Sequence, residues 1–264
     1  MIDHRWQLGL IGWAAAASLL GLLYLRQRRT HDATAVDAGW AVSLAGLAVL
    51  YAVLAPGAVG QRALIATVAA IESMRIAFLI LGRVGDGEDR RYRDLRSRWR
   101  EAGQEQTRFA IFYQAQALLA VGFSVPFLLV CFNGDSHVAV VEWVGVALWI
   151  VAFSLEAIAD HQLARFRSEK TNKGEVLRSG LWRYSRHPNY FFQTLIWLSY
   201  ALISLAAPWG WLAFFATALM LYLIRFVTGV PPTEASSLRS RGDDYRRYQR
   251  ETPIFVPWLP RSTD

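Results

Sequence analysis

The sequence predicts an all-α, polytopic membrane protein with seven transmembrane helices, its N-terminus outside and its C-terminus cytoplasmic. Three observations carry that expectation. The 264 residues are 54% hydrophobic, with a mean hydropathy of +0.22, too apolar for a water-soluble domain of this length. The apolar residues gather in seven runs, over residues 6–25, 39–55, 63–81, 109–132, 138–158, 189–205 and 209–226, each near the length that crosses a bilayer. Basic-rich and basic-poor connections alternate between these runs. With the N-terminus outside, 25 of the 28 Lys and Arg fall on the inner side, leaving Arg5 and Arg62 outside and Arg75 within a run.

Run 6–25 is followed by Arg26, Arg28 and Arg29. A cleavable signal carries its charge before the apolar stretch and small residues after it, so this run is expected to stay as an anchor. Run 39–55 stops at Pro56-Gly57, and run 63–81 carries Glu72 and Arg75 in apolar surroundings. The segment 83–108 holds eight arginines and leads into run 109–132, which contains Gln114, Gln116 and Pro126. A loop without basic residues, 133–136, precedes run 138–158, which ends toward Glu156 and Asp160; loop 161–187 then holds seven basic residues. Only Ala206-Ala207-Pro208 separates the last two runs, and the tail from Arg225 onward carries seven arginines. There is no internal repeat and no low-complexity linker, so residues 1–264 are expected to form one integral membrane domain with cytoplasmic segments near 83–108, 161–188 and 227–264.

Composition also excludes. The lone Cys131 rules out an internal disulfide framework and a multi-cysteine metal site. A net charge of +7 invites a nucleic-acid reading, but the basic residues lie between apolar runs as topology signals, and no nucleic acid is expected. His161 and His187 have no further ligands beside them, so no metal is expected either.

Residues 180–193 read Gly-Leu-Trp-Arg-Tyr-Ser-Arg-His-Pro-Asn-Tyr-Phe-Phe-Gln. His187 is biased away from helical dihedrals by the proline after it, and Pro188 suits a first helical position, so a helix starts here at the water–bilayer boundary. Its unpaired backbone donors, with Arg183, Arg186 and His187 beside them, make an anion site, or an interfacial anchor whose arginines meet lipid phosphates. Asn189 and Gln193 are four apart and share one helix face. The inner side also carries Arg83, Arg90, Arg91, Arg165, Arg167 and Arg178, against two lysines in the whole chain. Guanidinium forks suit nucleotide phosphates and rings; an anionic leaflet is the competing partner. Glu156 and Asp160 lie one turn apart, placed either to hold ribose hydroxyls or to pair with Arg165 and Arg167. Glu72 and Arg75, three apart, either neutralise each other or leave Glu72 protonated as a donor to a substrate carbonyl.

Several strings share an order and spacing: Arg83 to Tyr92 (Arg-Val-Gly-Asp-Gly-Glu-Asp-Arg-Arg-Tyr), residues 156–167, residues 180–190, Gly229-Val230-Pro231 and Asp244-Tyr245-Arg246-Arg247-Tyr248. They resemble a large bacterial branch of the steroid 5-alpha-reductase-like integral membrane proteins, distantly related to isoprenylcysteine carboxyl methyltransferases and sterol C-14 reductases. The resemblance covers most of residues 37–257. It implies a seven-helix reductase of a bacterial inner membrane that binds NADPH and reduces an activated double bond in a lipid such as a 3-oxo-4-ene steroid. It implies cofactor contacts at Asp160, Arg167 and Asn189, around Arg183, Arg186 and His187, and at Arg75 and Arg83. Glu72 falls where those reductases place a tyrosine that holds the substrate ketone, which makes it the catalytic candidate. The chain departs from the family at Phe192 and Gln193, where glycine and glutamate are usual; Gln193 turns a charged contact to the nicotinamide side into a neutral one. The Arg-His-Pro-x-Tyr string and the tyrosine-containing tail are similar also to the S-adenosylmethionine-dependent isoprenylcysteine carboxyl methyltransferases, with Glu234 as their late acidic residue, although the adjacent Glu-Glu pair is lacking. A non-enzymatic lipid-binding membrane protein is the third reading.

Overall fold

A computed structural model describes residues 1–82, 84 and 87–261, and among these the regular secondary structure is entirely helical. The chain forms two compact units, Met1–Ala139 with Ser204–Leu212, and Val140–Ile203 with Ala213–Asp264.

In the first unit, α1 (Arg5–Thr30), α2 (Ala35–Leu54) and α3 (Val59–Leu81) carry the first three apolar runs. α2 packs against both α1 and α3. Small residues permit the close approach: a Cβ on Gly12 would stand 2.7 Å from Leu47, and one on Gly39 would stand 2.2 Å from Leu23. The run 109–132, read as one span, is instead two helices, α5 (Glu105–Phe123) and α6 (Val125–Cys131), bent by 41°. Pro126 has no N–H for the carbonyl one turn back, so the ladder breaks beside it. Ser124 repairs the break, its N–H meeting Ala120 O at 2.9 Å and its hydroxyl donating to Val121 O at 2.8 Å.

The arginine-rich segment also contains a helix, α4 (Arg90–Glu101). Tyr92, Leu95 and Trp99 on α4 pack against Leu20, Phe109 and Tyr113. The Glu88 to Tyr92 string fastens α4 beside the turn between α1 and α2: Glu88 accepts from Ala33 N–H at 3.0 Å, Asp89 N–H donates to Thr34 at 2.9 Å, and the Tyr92 hydroxyl donates to Asp37 at 2.6 Å. Buried Arg96 is the knot of this arrangement. It donates to Glu88 at 2.7 and 3.0 Å, to Glu105 at 2.5 Å and to Gln27 at 3.1 Å, and lies 4.6 Å over the Phe109 ring.

The second unit holds α7 (Val140–Ser168), α8 (Pro188–Ser204), α9 (Ala213–Tyr222) and α10 (Val230–Glu251), with a wider turn over Leu223–Val227 between the last two. α7 overruns its apolar run by ten residues, so that Asp160 and Arg167 ride on the same rigid rod as the span. Gly145 brings α7 onto α8; a Cβ there would stand 2.7 Å from Ile203. By length and composition, α1, α2, α3, α7 and the apolar part of the stretch Gly210–Glu251 are each sufficient to cross a membrane, and the bent α5–α6 pair adds a sixth where it is counted as one span. α8 is the shortfall from seven: its apolar sequence is 17 residues long, about 25 Å at the helical rise.

Replacing Arg96 with Ala leaves Glu88 and Glu105 with their principal buried donor removed. The variant should lose about 3–5 kcal/mol of stability, read as a lowered unfolding midpoint in detergent. Arg93→Ala, on the exposed face of α4, should scarcely move it.

Candidate functional site

α8 starts at Pro188, where the proline chemistry places it. The Asn189 side chain serves two ways: its Oδ1 accepts Tyr190 N–H at 3.0 Å, and its Nδ2 donates to Asp160 on α7 at 3.0 Å. Two of the cofactor candidates are thereby brought together from residues far apart in sequence. The loop before α8 is held by the same end of α7. Gly180 adopts φ +60 and lies so close to Gln162 that a Cβ would be 2.5 Å from its side chain; Gln162 Oε1 accepts Leu181 N–H at 3.0 Å, and Trp182 Nε1 donates to Ala159 O at 3.0 Å.

Glu234, near the start of α10, is the centre of the loop's other anchorage. Arg186 grips it with two parallel contacts, 3.0 and 3.1 Å, and His187 Nε2 lies 2.9 Å from the same carboxylate. The Tyr245 hydroxyl donates at 2.7 Å and Gln249 Nε2 at 2.5 Å. The remaining Arg186 nitrogen donates to Gln249 O and Thr252 O at 2.8 and 2.9 Å. Both Arg186 and His187 are buried. The Tyr190 ring stacks on His187 with centroids 5.5 Å apart, and its hydroxyl stands 3.3 Å from that of Thr233. Gly242, at φ +51, breaks the helical course of α10 between Glu234 and the Tyr245–Gln249 pair.

Burial alone would push the Glu234 carboxyl up, but hydrogen bonds from His187, Tyr245 and Gln249, with the charge of Arg186, hold it down to about 2. Burial and the Glu234 hydrogen bond push the Tyr245 hydroxyl above its ordinary range. A carboxylate so saturated with donors acts as a fixed anion that positions the loop.

The other candidates divide by location and commitment. Arg178 is taken by Asp244 and Glu251, and Arg247 by Glu251. Arg183 is exposed, and its guanidinium has no ion pair or hydrogen bond among the described residues. Arg167 is exposed on the last turn of α7, and Gln193 is half-buried one turn beyond Asn189. Glu72 and Arg75 belong to the first unit, on α3, where Arg75 Nε and a terminal nitrogen each donate to the buried Glu72 carboxylate at 3.3 Å. Arg83 lies outside the described residues. The role of Tyr245 and Gln249 was visible in sequence only as a four-residue spacing on one face; nothing in the local pattern tied them to Glu234 across Gly242.

Residues 23–252 match the family described as "Protein of unknown function (DUF1295)". Among curated proteins the chain is 26% identical over 115 residues to a 3-oxo-5-alpha-steroid 4-dehydrogenase 1 of Bos taurus, covering 44% of this chain and 41% of that one. Its counterpart in Rattus norvegicus is 33% identical over 101 residues, 33% of this chain and 39% of the relative. An uncharacterized protein of Schizosaccharomyces pombe is 29% identical over 139 residues, 46% and 40%. The chain thus spans about two fifths of the length of these relatives. No solved structure matches it. The family match and the similarity to steroid 4-dehydrogenases agree with the steroid 5-alpha-reductase-like resemblance of the motifs.

Because the Glu234 carboxyl titrates lower in the folded state than its unfolded value of about 4.3, its contribution is complete above that pH and disappears as pH falls toward about 2. Glu234→Gln should be less stable than the parent at pH 7, on the order of 2 kcal/mol, and melting curves of the two should converge on acidification through that window.

Proposed function

This chain belongs to the DUF1295 family, and we propose that it is an NADPH-dependent membrane reductase that saturates an activated carbon–carbon double bond in a lipid, such as a 3-oxo-4-ene steroid. The observation that carries the reading is the state of Arg183. A dinucleotide's phosphates need a guanidinium that no carboxylate has already neutralised, and this one is exposed and uncommitted five residues before α8 begins. The relatives named as 3-oxo-5-alpha-steroid 4-dehydrogenases supply the reaction class.

The donor set fits such a cofactor. Arg183 and Arg167 bring positive charge for the phosphates, with Arg83 a third cation in sequence. The Asp160 carboxylate, oriented by Asn189 Nδ2, is suited to a ribose hydroxyl. Gln193 offers a neutral amide to the nicotinamide side. Arg186 and His187 act one step back, since their bonds to Glu234 hold the loop that presents Arg183. When bound, NADPH supplies the hydride that adds to the β-carbon of an enone.

Glu72 and Arg75 are assigned to the substrate carbonyl. Arg75 brings guanidinium N–H groups suited to an oxygen that becomes enolate-like, and Glu72 fixes that guanidinium by its paired hydrogen bonds. Glu72 thereby acts through Arg75 as an oriented anion. A bilayer location keeps water from the reaction and lets an apolar substrate arrive laterally.

Thermal unfolding of the purified protein with NADPH, NADH or S-adenosylmethionine tests the reading. NADPH at a hundred times its dissociation constant should stabilise the fold by about 2.7 kcal/mol, and Arg183→Ala or Asn189→Ala should abolish most of that shift without lowering the unliganded melting point by a comparable amount. Stabilisation by S-adenosylmethionine alone would replace the reductase by a methyltransferase, and no response to any of the three would leave the lipid-binding reading.

A further inference from the structure

Beyond α10, residues 252–261 turn back along the loop that precedes α8. Hydrogen bonds fix them in place, among them Arg186 N–H to Pro253 O at 2.9 Å, the Ser185 hydroxyl to Phe255 O at 2.7 Å, Trp258 N–H to Tyr184 O at 2.9 Å and Arg261 N–H to Glu251 O at 2.8 Å. Pro253, Pro257 and Pro260 restrict the backbone further. Phe255 turns inward, buried and edge-on to Phe191 of α8 at 5.8 Å. Its neighbours do the reverse. Val256 is 58% exposed, Trp258 72% and Leu259 69%, and Tyr184, Pro257, Trp258 and Leu259 line a shallow cleft of about 260 Å³. A rigid segment that holds its largest hydrocarbon groups outward is made to meet something apolar.

The length of α8 says what that is. Its 17 residues rise about 25 Å, whereas a hydrocarbon core is about 30 Å thick. A bilayer crossed by α8 therefore reaches beyond the ends of the helix. Tyr184 stands four residues before Pro188, and Trp258 is bonded to its carbonyl, so the exposed cluster lies close to the end at which α8 begins. Exposed Arg250 and Arg261 flank it, and aromatic and aliphatic side chains edged by arginine are the composition of a membrane–water boundary.

We propose that residues 252–261 form an interfacial anchor that seats Trp258 and Leu259 in the headgroup–acyl boundary of the phospholipid bilayer, at the end where α8 begins. The anchor makes up the missing length of α8 and holds the Arg183 loop at a constant depth. It requires α8 to be a span and is independent of the bound cofactor.

Two single-cysteine variants, Trp258→Cys and Leu259→Cys in a Cys131→Ala background, carry a fluorophore in phosphatidylcholine and phosphatidylglycerol nanodiscs, with Arg239→Cys as the exposed control on α10. Variants that keep the parent's melting point in detergent are compared. Lipids brominated near the carbonyl end of their chains should quench a label at 258 or 259 about threefold more than at 239, and aqueous iodide should quench it less. Control-like quenching by both agents at 258 and 259 would overturn the anchor in favour of a solvated tail. Excimers between labels on different molecules, without lipid quenching, would overturn it in favour of a contact between two copies.

Discussion

The Glu234 carboxylate is the point on which the candidate site depends. Two contacts from Arg186 and one each from His187, Tyr245 and Gln249 converge on it, from segments separated by more than forty residues. A buried anion with that many donors has one arrangement of low energy, because withdrawing any donor leaves charge without compensation in a medium that water barely reaches. The loop from Gly180 to His187 contains only a short 3-10 turn, Gly180–Arg183, as regular structure, and it is held by this convergence on one side and by Gln162 and Ala159 on the other. Rigidity in an irregular segment is what a binding site at the end of a helix requires.

Carboxylate pairing separates the arginines of this chain into two groups. In the first unit Arg91 and Arg96 are bonded to Asp37, Asp89, Glu88 and Glu105, and in the second Arg178, Arg186 and Arg247 are bonded to Asp244, Glu234 and Glu251. These charges are already balanced and act as crosslinks. Arg183 is exposed and has no such carboxylate partner among the described residues. A planar fork makes a directional crosslink, which suits the excess of guanidinium over ammonium.

Much of the fold is legible in the sequence. Apolar runs located α1, α2, α3 and α7 because a membrane span needs a continuous stretch of apolar residues, and Pro188 located the start of α8 because proline restricts the backbone on both sides of itself. α4 was hidden, since its apolar stripe of Tyr92, Leu95 and Trp99 is diluted among arginines and loses the appearance of a buried face. Pro126 was visible but its 41° bend was not, because a proline within a span is tolerated in some helices and breaks others according to what accepts the freed carbonyls. The Arg-His-Pro string marks the start of α8, yet Glu234 as its partner depends on tertiary closure and on the break at Gly242, which no periodicity reports.

The chain order of those partners bears on how the molecule is made. Arg186 and His187 leave the ribosome well ahead of Glu234, and Tyr245, Gln249 and the carbonyls of Thr252, Pro253 and Phe255 follow later still. Until Glu234 has been synthesised the loop lacks its counter-ion, and until residues 252–255 follow it lacks those backbone acceptors. Membrane insertion of the apolar segments can therefore precede the ordering of the candidate site, which waits for the polar stretch 234–255 to emerge.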